Sequence, residues 1–310
     1  MRLGWRNAGR YIGIDSEGID HAHDENVTRP KDPISGLRVT LDLLGDGYIE
    51  AIPDSELRTL AARETKETRG IIHGELTEVT LPEAAKGARE VGRFGWKDQH
   101  GSLASAASEA LRNELGLPNE YFPAPPNSAR LRAVSLPANG LSQIDHIRAL
   151  VAFIRSTEPI APDPERSLLP EVKAGSLLFD RIGCSICHVR TLKTAPPGTK
   201  MQDGTLTVSS RLGNREIHPF SDFLLHDVGT GDGVIQNIRP RDYDETTANK
   251  FRTPPLWGLR YRSWMMHDGK AITYHQAIMR HGGEAKGVVE AYKHLTPREQ
   301  EELREFLNSL

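Results

Sequence analysis

Cysteine is the scarcest informative residue here: the 310-residue chain has two. That excludes a disulfide framework and a four-cysteine zinc site. Methionine is nearly as rare, with five, and aromatic residues make up 6%. No apolar run approaches the length of a membrane span. Net charge is −3, so nothing draws the chain electrostatically toward nucleic acid or a membrane surface. No repeat or low-complexity tract is present, and the opening MRLGWRNAGRYIG lacks the apolar core of a secretory signal. What remains, 37% hydrophobic and 26% charged residues over this length, suits a globular protein with room for two domains.

Both cysteines lie in one stretch, Cys184-Ser185-Ile186-Cys187-His188, the C-x-x-C-H pattern of covalent haem attachment. Two thiols one helical turn apart can each add to a vinyl group on one porphyrin edge, and the adjacent imidazole then reaches the iron as its proximal ligand. A redox dithiol lacks its usual βαβ context here, and a plain disulfide across two residues is the remaining alternative. Covalent haem attachment in bacteria takes place on the periplasmic side. The expected location is therefore periplasmic, and a chain without an export signal is expected to be part of a longer one.

The pattern of elements predicts a mainly α protein: cytochrome c-like helical domains, loop-rich around haem, with few short strands. Glu171 to Ile182 reads as the helix that delivers the motif, with Val172, Leu177, Leu178 and Ile182 on its apolar positions. Asp54 or Ser55 can cap a helix through Leu57, Leu60 and Ala61, and a further helix runs from Leu103 to Leu115, closed by Gly116. Ser142 opens a helix whose stripe is Ile144, Ile147, Val151 and Ile154, with Leu150 filling the same face. Residues 156 to 170 hold four prolines and read as a linker. Thr273 caps a short helix from Tyr274 to His281. Thr296-Pro297-Arg298-Glu299 is a capping box that opens the last helix, with Leu303, Phe306, Leu307 and Leu310 facing inward.

A six-coordinate iron needs a second ligand, and methionine is the common choice for electron transfer. Met266 ranks first, Met265 second and Met279 third. The adjacent His267 could ligate instead, or hydrogen-bond nearby. His218 and His226 lie in the loop-rich stretch after the motif, and His226 reads as an ordinary loop histidine.

The stretches GRFGWKDQHGSL, HPFSDFLLHDVG, FRTPPLWGLRYRSWMMHDG and RHGGEA together resemble the bacterial di-haem oxidoreductases, relatives of the di-haem cytochrome c peroxidases. The likeness runs from about Leu41 to the C-terminus. It implies an incomplete N-terminal cytochrome c-like domain over residues 1–160 and a C-terminal cytochrome c domain over 161–310. It implies one haem c on Cys184 and Cys187, with His188 and Met266 on the iron. Trp96 is the position resembling the tryptophan that relays electrons between two haems. A calcium ion is implied near the backbone oxygens of Thr253-Pro254-Pro255, a small redox protein as electron donor, and hydrogen peroxide as the substrate of the second haem. Family members carry two C-x-x-C-H motifs and this chain has one. Methionine within their LLLHD-x-G motif is Val228 here. The expected function is thus electron transfer within a peroxidase-like di-haem enzyme, and the alternative is a mono-haem c-type carrier with no catalysis of its own.

Overall fold

The computed structural model describes residues 38–123, 143–237 and 243–310. Helices carry the architecture, and among the described residues the strands are two or three residues long and pair only as two-stranded ribbons. Helix α1 spans Asp46–Glu50 and α2 Asp54–Glu67; a hairpin of β1, Glu78–Thr80, and β2, Arg89–Val91, follows. Helices α3, Leu103–Leu115, and α4, Gln143–Ser156, complete the first half. The second half holds α5, Pro170–Arg181; α6, Tyr274–Met279; α7, Lys286–Lys293; and α8, Pro297–Leu307. No helix among the described residues is long and apolar enough to cross a membrane.

Local chemistry explains most boundaries. Ser102 accepts from the Ser105 amide at the start of α3, and Gly116 ends it in the left-handed conformation. Thr296 and Glu299 close a reciprocal capping box on α8. Asp54 does not cap α2. Its carboxylate accepts from the Val91 amide and pairs with the Arg93 guanidinium, tying α2 to the hairpin. Ser142 lies outside the described residues. Helix α7 was not anticipated, because Gly282 and Gly283 read as a stop.

Two apolar clusters fill the interior. The first gathers α2, α3 and α4 around Leu57, Leu103, Ile147 and Val151, and it also takes in Val189, Leu212 and Phe223 from beyond the cysteine motif. The second packs α5 against α8 through Val172, Phe179, Leu303 and Phe306. The expected stripe on α5 needs correction. Leu177 is 72% exposed, whereas Phe179 is buried. At 100° per residue Leu177 falls on the side of the helix opposite Ile182, and Phe179 falls beside it. Leu150 on α4 is 37% exposed for a milder version of the same reason, at the edge of its stripe.

Helices α5 and α8 cross at Gly175, where an added Cβ would sit 1.9 Å from the Glu302 carbonyl oxygen. That contact presses Phe179 edge-on to Phe306, with ring centroids 5.3 Å apart, and fixes the direction in which α5 delivers the next residues.

Candidate haem site

Beyond α5 the chain turns at Gly183, left-handed at φ 94°, into a single 3₁₀ turn over Cys184–Ile186. The His188 amide then donates to the Cys184 carbonyl at 3.0 Å, so the motif coils once. Cys184, Cys187 and His188 all line a cavity of about 760 Å³ whose wall takes in much of the second apolar cluster. Its walls include Phe179, Leu256, Ile278 and Leu303, so they are mainly apolar. Both cysteines are free. Burial pushes the Cys184 thiol up to about 12 and the Cys187 thiol up to about 11, so both are neutral at physiological pH.

His188 is held by one bond. Its Nδ1 lies 2.9 Å from the Phe220 carbonyl oxygen. A carbonyl only accepts, so Nδ1 carries the hydrogen and Nε2 keeps the ring's lone pair. Burial, and then the neighbouring His281, push the imidazole pKa down to about 4. A neutral imidazole with a free Nε2, oriented through Nδ1, is the form that ligates metal.

The carbonyl that orients His188 comes from a strained loop. Phe220 and Phe223 both adopt left-handed backbone, φ 52° and 57°, a conformation that costs a bulky residue about 1–3 kcal/mol. Hydrogen bonds compensate. The Ser221 amide donates to the Val189 carbonyl, the Ser221 hydroxyl to the Thr253 carbonyl, and the Phe223 amide to Ser221 Oγ. The loop thereby aims the Phe220 carbonyl at His188 and places Asp222 beside His226.

Met265 and Met266 also line the cavity. Met265 is 8% exposed, and its amide donates to the Ala271 carbonyl. Met266 sits in left-handed backbone at φ 64°, at the first position of the turn that the Gly269 amide closes on its carbonyl. Met279 is 38% exposed and lies outside the cavity lining. His267 stacks on Phe251, with ring centroids 3.7 Å apart, and its Nε2 donates to the Thr230 carbonyl at 2.7 Å. Trp96 lines the same cavity, edge-on to Phe251 and His267, and its indole N–H donates to the Val39 carbonyl. Thr253 and Pro254 reach the cavity too. The Thr253 and Pro255 carbonyls already accept bonds from Ser221 and Arg262. His218 stays exposed, with Nδ1 3.0 Å from Thr191 Oγ1.

His226 departs from its expected character. It sits in a short strand, Leu225–His226, and is 2% exposed. Its Nε2 lies 3.0 Å from Asp222 Oδ2 and its Nδ1 2.9 Å from Glu284 Oε2. Burial disfavours the imidazolium, but the Asp222 carboxylate outweighs it and the pKa lies well above the ordinary histidine value. Cys187 Sγ is 3.8 Å from Nδ1. Cys187, Asp222 and His226 bring three ligand-type atoms within 4.8 Å of one another. An imidazolium donating through both nitrogens has no lone pair for a metal, so this trio is a hydrogen-bonded ion cluster and Cys187 stays free for other chemistry.

Sequence reading missed His226's partners and also His281, whose ring centroid is 6.5 Å from that of His188 and whose Nδ1 donates to the Ala277 carbonyl. The only signal for His281 was its place in RHGGEA.

The family described as "Di-haem oxidoreductase, putative peroxidase" matches residues 15–310. No protein of curated function matches the sequence. Two solved structures are similar over most of the chain. One is the hydrazine synthase of Kuenenia stuttgartiensis under 20 bar of xenon, at 17% identity, covering 89% of this chain and 90% of that one, with a TM-score of 0.39. The other is a MauG-like protein associated with microbial copper homeostasis, at 19% identity, covering 92% and 94%, with a TM-score of 0.42.

Proposed function

The chain belongs to the di-haem oxidoreductase family, and from that premise we propose that it holds one covalent haem c and passes electrons through it. Haem supplies an iron that gains and loses single electrons. Cys184 and Cys187 would form the thioethers, and His188 Nε2 the proximal bond. Met266 would supply a second iron ligand, with Met265 as its alternative. The observation that carries this reading is the bond from His188 Nδ1 to the Phe220 carbonyl. It leaves one lone pair on a neutral imidazole, in an apolar cavity that the two free thiols also line.

The residues around that cavity divide the remaining work. Phe179, Phe220 and Phe306 pack edge to face beside His188 and keep water from its ring. Met266 holds left-handed backbone and lines the cavity. Trp96, held by Val39 and packed on the Phe251–His267 stack, would relay electrons toward a second haem, where hydrogen peroxide would be reduced. A small redox protein would supply the electrons in the periplasm, and a calcium ion near the Thr253 carbonyl would complete the peroxidase-like assembly. Residues 1–160 would then form the N-terminal domain and 161–310 the cytochrome c domain. The single C-x-x-C-H favours a second reading, a mono-haem carrier, which needs only Cys184, Cys187, His188 and Met266.

A pyridine haemochrome assay on protein made with the c-type maturation machinery separates the outcomes. One haem per chain is expected. Zero would overturn both readings. With one haem bound, peroxide turnover by this chain alone would contradict the carrier reading.

A further inference from the structure

Four buried titratable side chains form a continuous cluster beside Cys187, drawn from three distant parts of the chain. Glu64 comes from α2, Asp222 and His226 from the strained loop and its strand, and Glu284 from the turn before α7. All are 9% exposed or less. Glu64 Oε2 lies 3.7 Å from His226 Nε2, which is 3.0 Å from Asp222; His226 Nδ1 is 2.9 Å from Glu284. At the outer end, His73 Nδ1 lies 3.8 Å from Glu284 Oε2 with its side chain 47% exposed. The series His73, Glu284, His226, Asp222, Glu64 therefore runs from solvent to a fully buried carboxyl, and Cys187 Sγ touches its middle member.

The members do not share the charge equally. Glu284 is held as a carboxylate at about 2, because bonds from His226 and the His73 and Asp227 amides outweigh its burial. His226 is held as an imidazolium. Glu64 is the weakly held member. Its Oε2 accepts a long 3.3 Å bond from the Gly74 amide, its carboxyl group shares a hydrogen bond with Asp222, and its Oε1 is buried without a partner. Burial, then the Asp222 carboxylate, push it up to about 9 against the pull of His226. Asp98 and Arg252 lie one layer further out, facing Asp222. Asp222 and Glu284 each pair with His226, so Glu64 is the member left to respond to a change in charge beside Cys187.

We propose that Glu64 is a redox-linked proton site, which takes up one proton through His73, Glu284, His226 and Asp222 when one electron enters the haem attached at Cys187. This rests on the haem reading above. The step balances. A one-electron donor protein supplies the electron, water at His73 supplies the proton, and the Glu64 carboxylate becomes a carboxylic acid while the buried charge stays constant. In this step the electron comes to rest on the haem, ahead of any onward transfer, and no bond between heavy atoms changes.

The sign follows. The oxidised site carries one more positive charge, which favours the Glu64 carboxylate; the reduced site favours the acid. Between the two resulting pKa values reduction consumes a proton, so the midpoint potential falls as pH rises. The limit is one tenfold step in proton activity per pH unit, about 59 mV for a one-electron couple.

The test is a spectroelectrochemical titration of the haem-loaded full chain from below neutrality to beyond pH 9, beside Glu64→Gln. A haemochrome count comes first: loss of haem would sink the haem reading and is thereby told apart from failure of this one. With haem present, a falling potential in the wild-type chain that flattens in Glu64→Gln is expected. A flat wild-type profile, or a slope unchanged in the variant, would overturn the proposal. If Glu64→Gln does not fold, the reduced-minus-oxidised infrared difference spectrum of the wild-type protein decides. A protonated-carboxyl band gained on reduction supports the proposal, and its absence refutes it.

Discussion

Replacing Gly175 by alanine tests the packing that aims the C-x-x-C-H turn. The added Cβ would meet the Glu302 carbonyl oxygen at 1.9 Å, its carbon at 2.5 Å and Phe306 Cβ at 2.8 Å. The first two are backbone atoms of α8 and cannot rotate away. Restoring ordinary contact at 3.4 Å opens the crossing by about 1.5 Å, which forfeits much of the dispersion between the facing side chains. Overpacking of this kind costs about 1–3 kcal/mol. The better helix propensity of alanine returns at most about 1 kcal/mol. A net loss of about 2 kcal/mol is expected once the loosened Phe179–Phe306 and Leu303 contacts are added. Gly287, on α7 with nothing within 4 Å, is the control. There alanine should gain about 0.4–1 kcal/mol by restricting the unfolded chain. Guanidinium unfolding of both variants at unchanged m-value gives the two signs directly. A Gly175→Ala protein as stable as Gly287→Ala would refute the close crossing and with it the account of how α5 is aimed.

Other outcomes follow from the same structure. Met266→Ala should abolish a low-spin His/Met absorption signature while leaving the haem attached. An unchanged spectrum would rule out that ligand in favour of Met265. Thr296→Ala removes the capping box of α8 and should cost about 1 kcal/mol in a denaturation midpoint; no change would mean that the box is redundant. Asp46 is 6% exposed, and its carboxyl is raised to about 7 by burial, against the pull of Arg252. Its folded pKa thus lies above the unfolded value, so the stability it contributes is present at low pH and is lost as pH rises toward 7. Asp46→Asn should therefore gain stability relative to wild type at pH 8, by on the order of 1 kcal/mol, and gain little at pH 4. An equal effect at both values would contradict the buried, neutral carboxyl.

The longer helices α2, α3, α4, α5 and α8 were legible because their causes are local. The 3.6-residue spacing of Ile147, Val151 and Ile154 places one face inward, and those three residues are buried. Ser102, Gly116, Thr273 and Thr296 do what their chemistry at helix ends dictates. Leu177 is apolar but lies across the helix from Ile182, so its angle turns it to solvent. Asp54 went astray because a longer-range partner, Arg93, outcompeted the local amide.

The amino-acid sequence by itself determined that Cys184, Cys187 and His188 share one turn, since three residues of spacing do not depend on the rest of the fold. It also picked out Met265, Met266 and Trp96, which line the same cavity as that turn. Tertiary structure decided the electrostatics. The Phe220 carbonyl reaches His188 across 32 residues, and Glu284 reaches His226 across 58. Such contacts depend on left-handed backbone at Phe220 and Phe223 and on where α2 and α7 come to rest. No periodicity encodes them, because the groups that set a buried histidine's charge are neighbours in space and strangers in sequence.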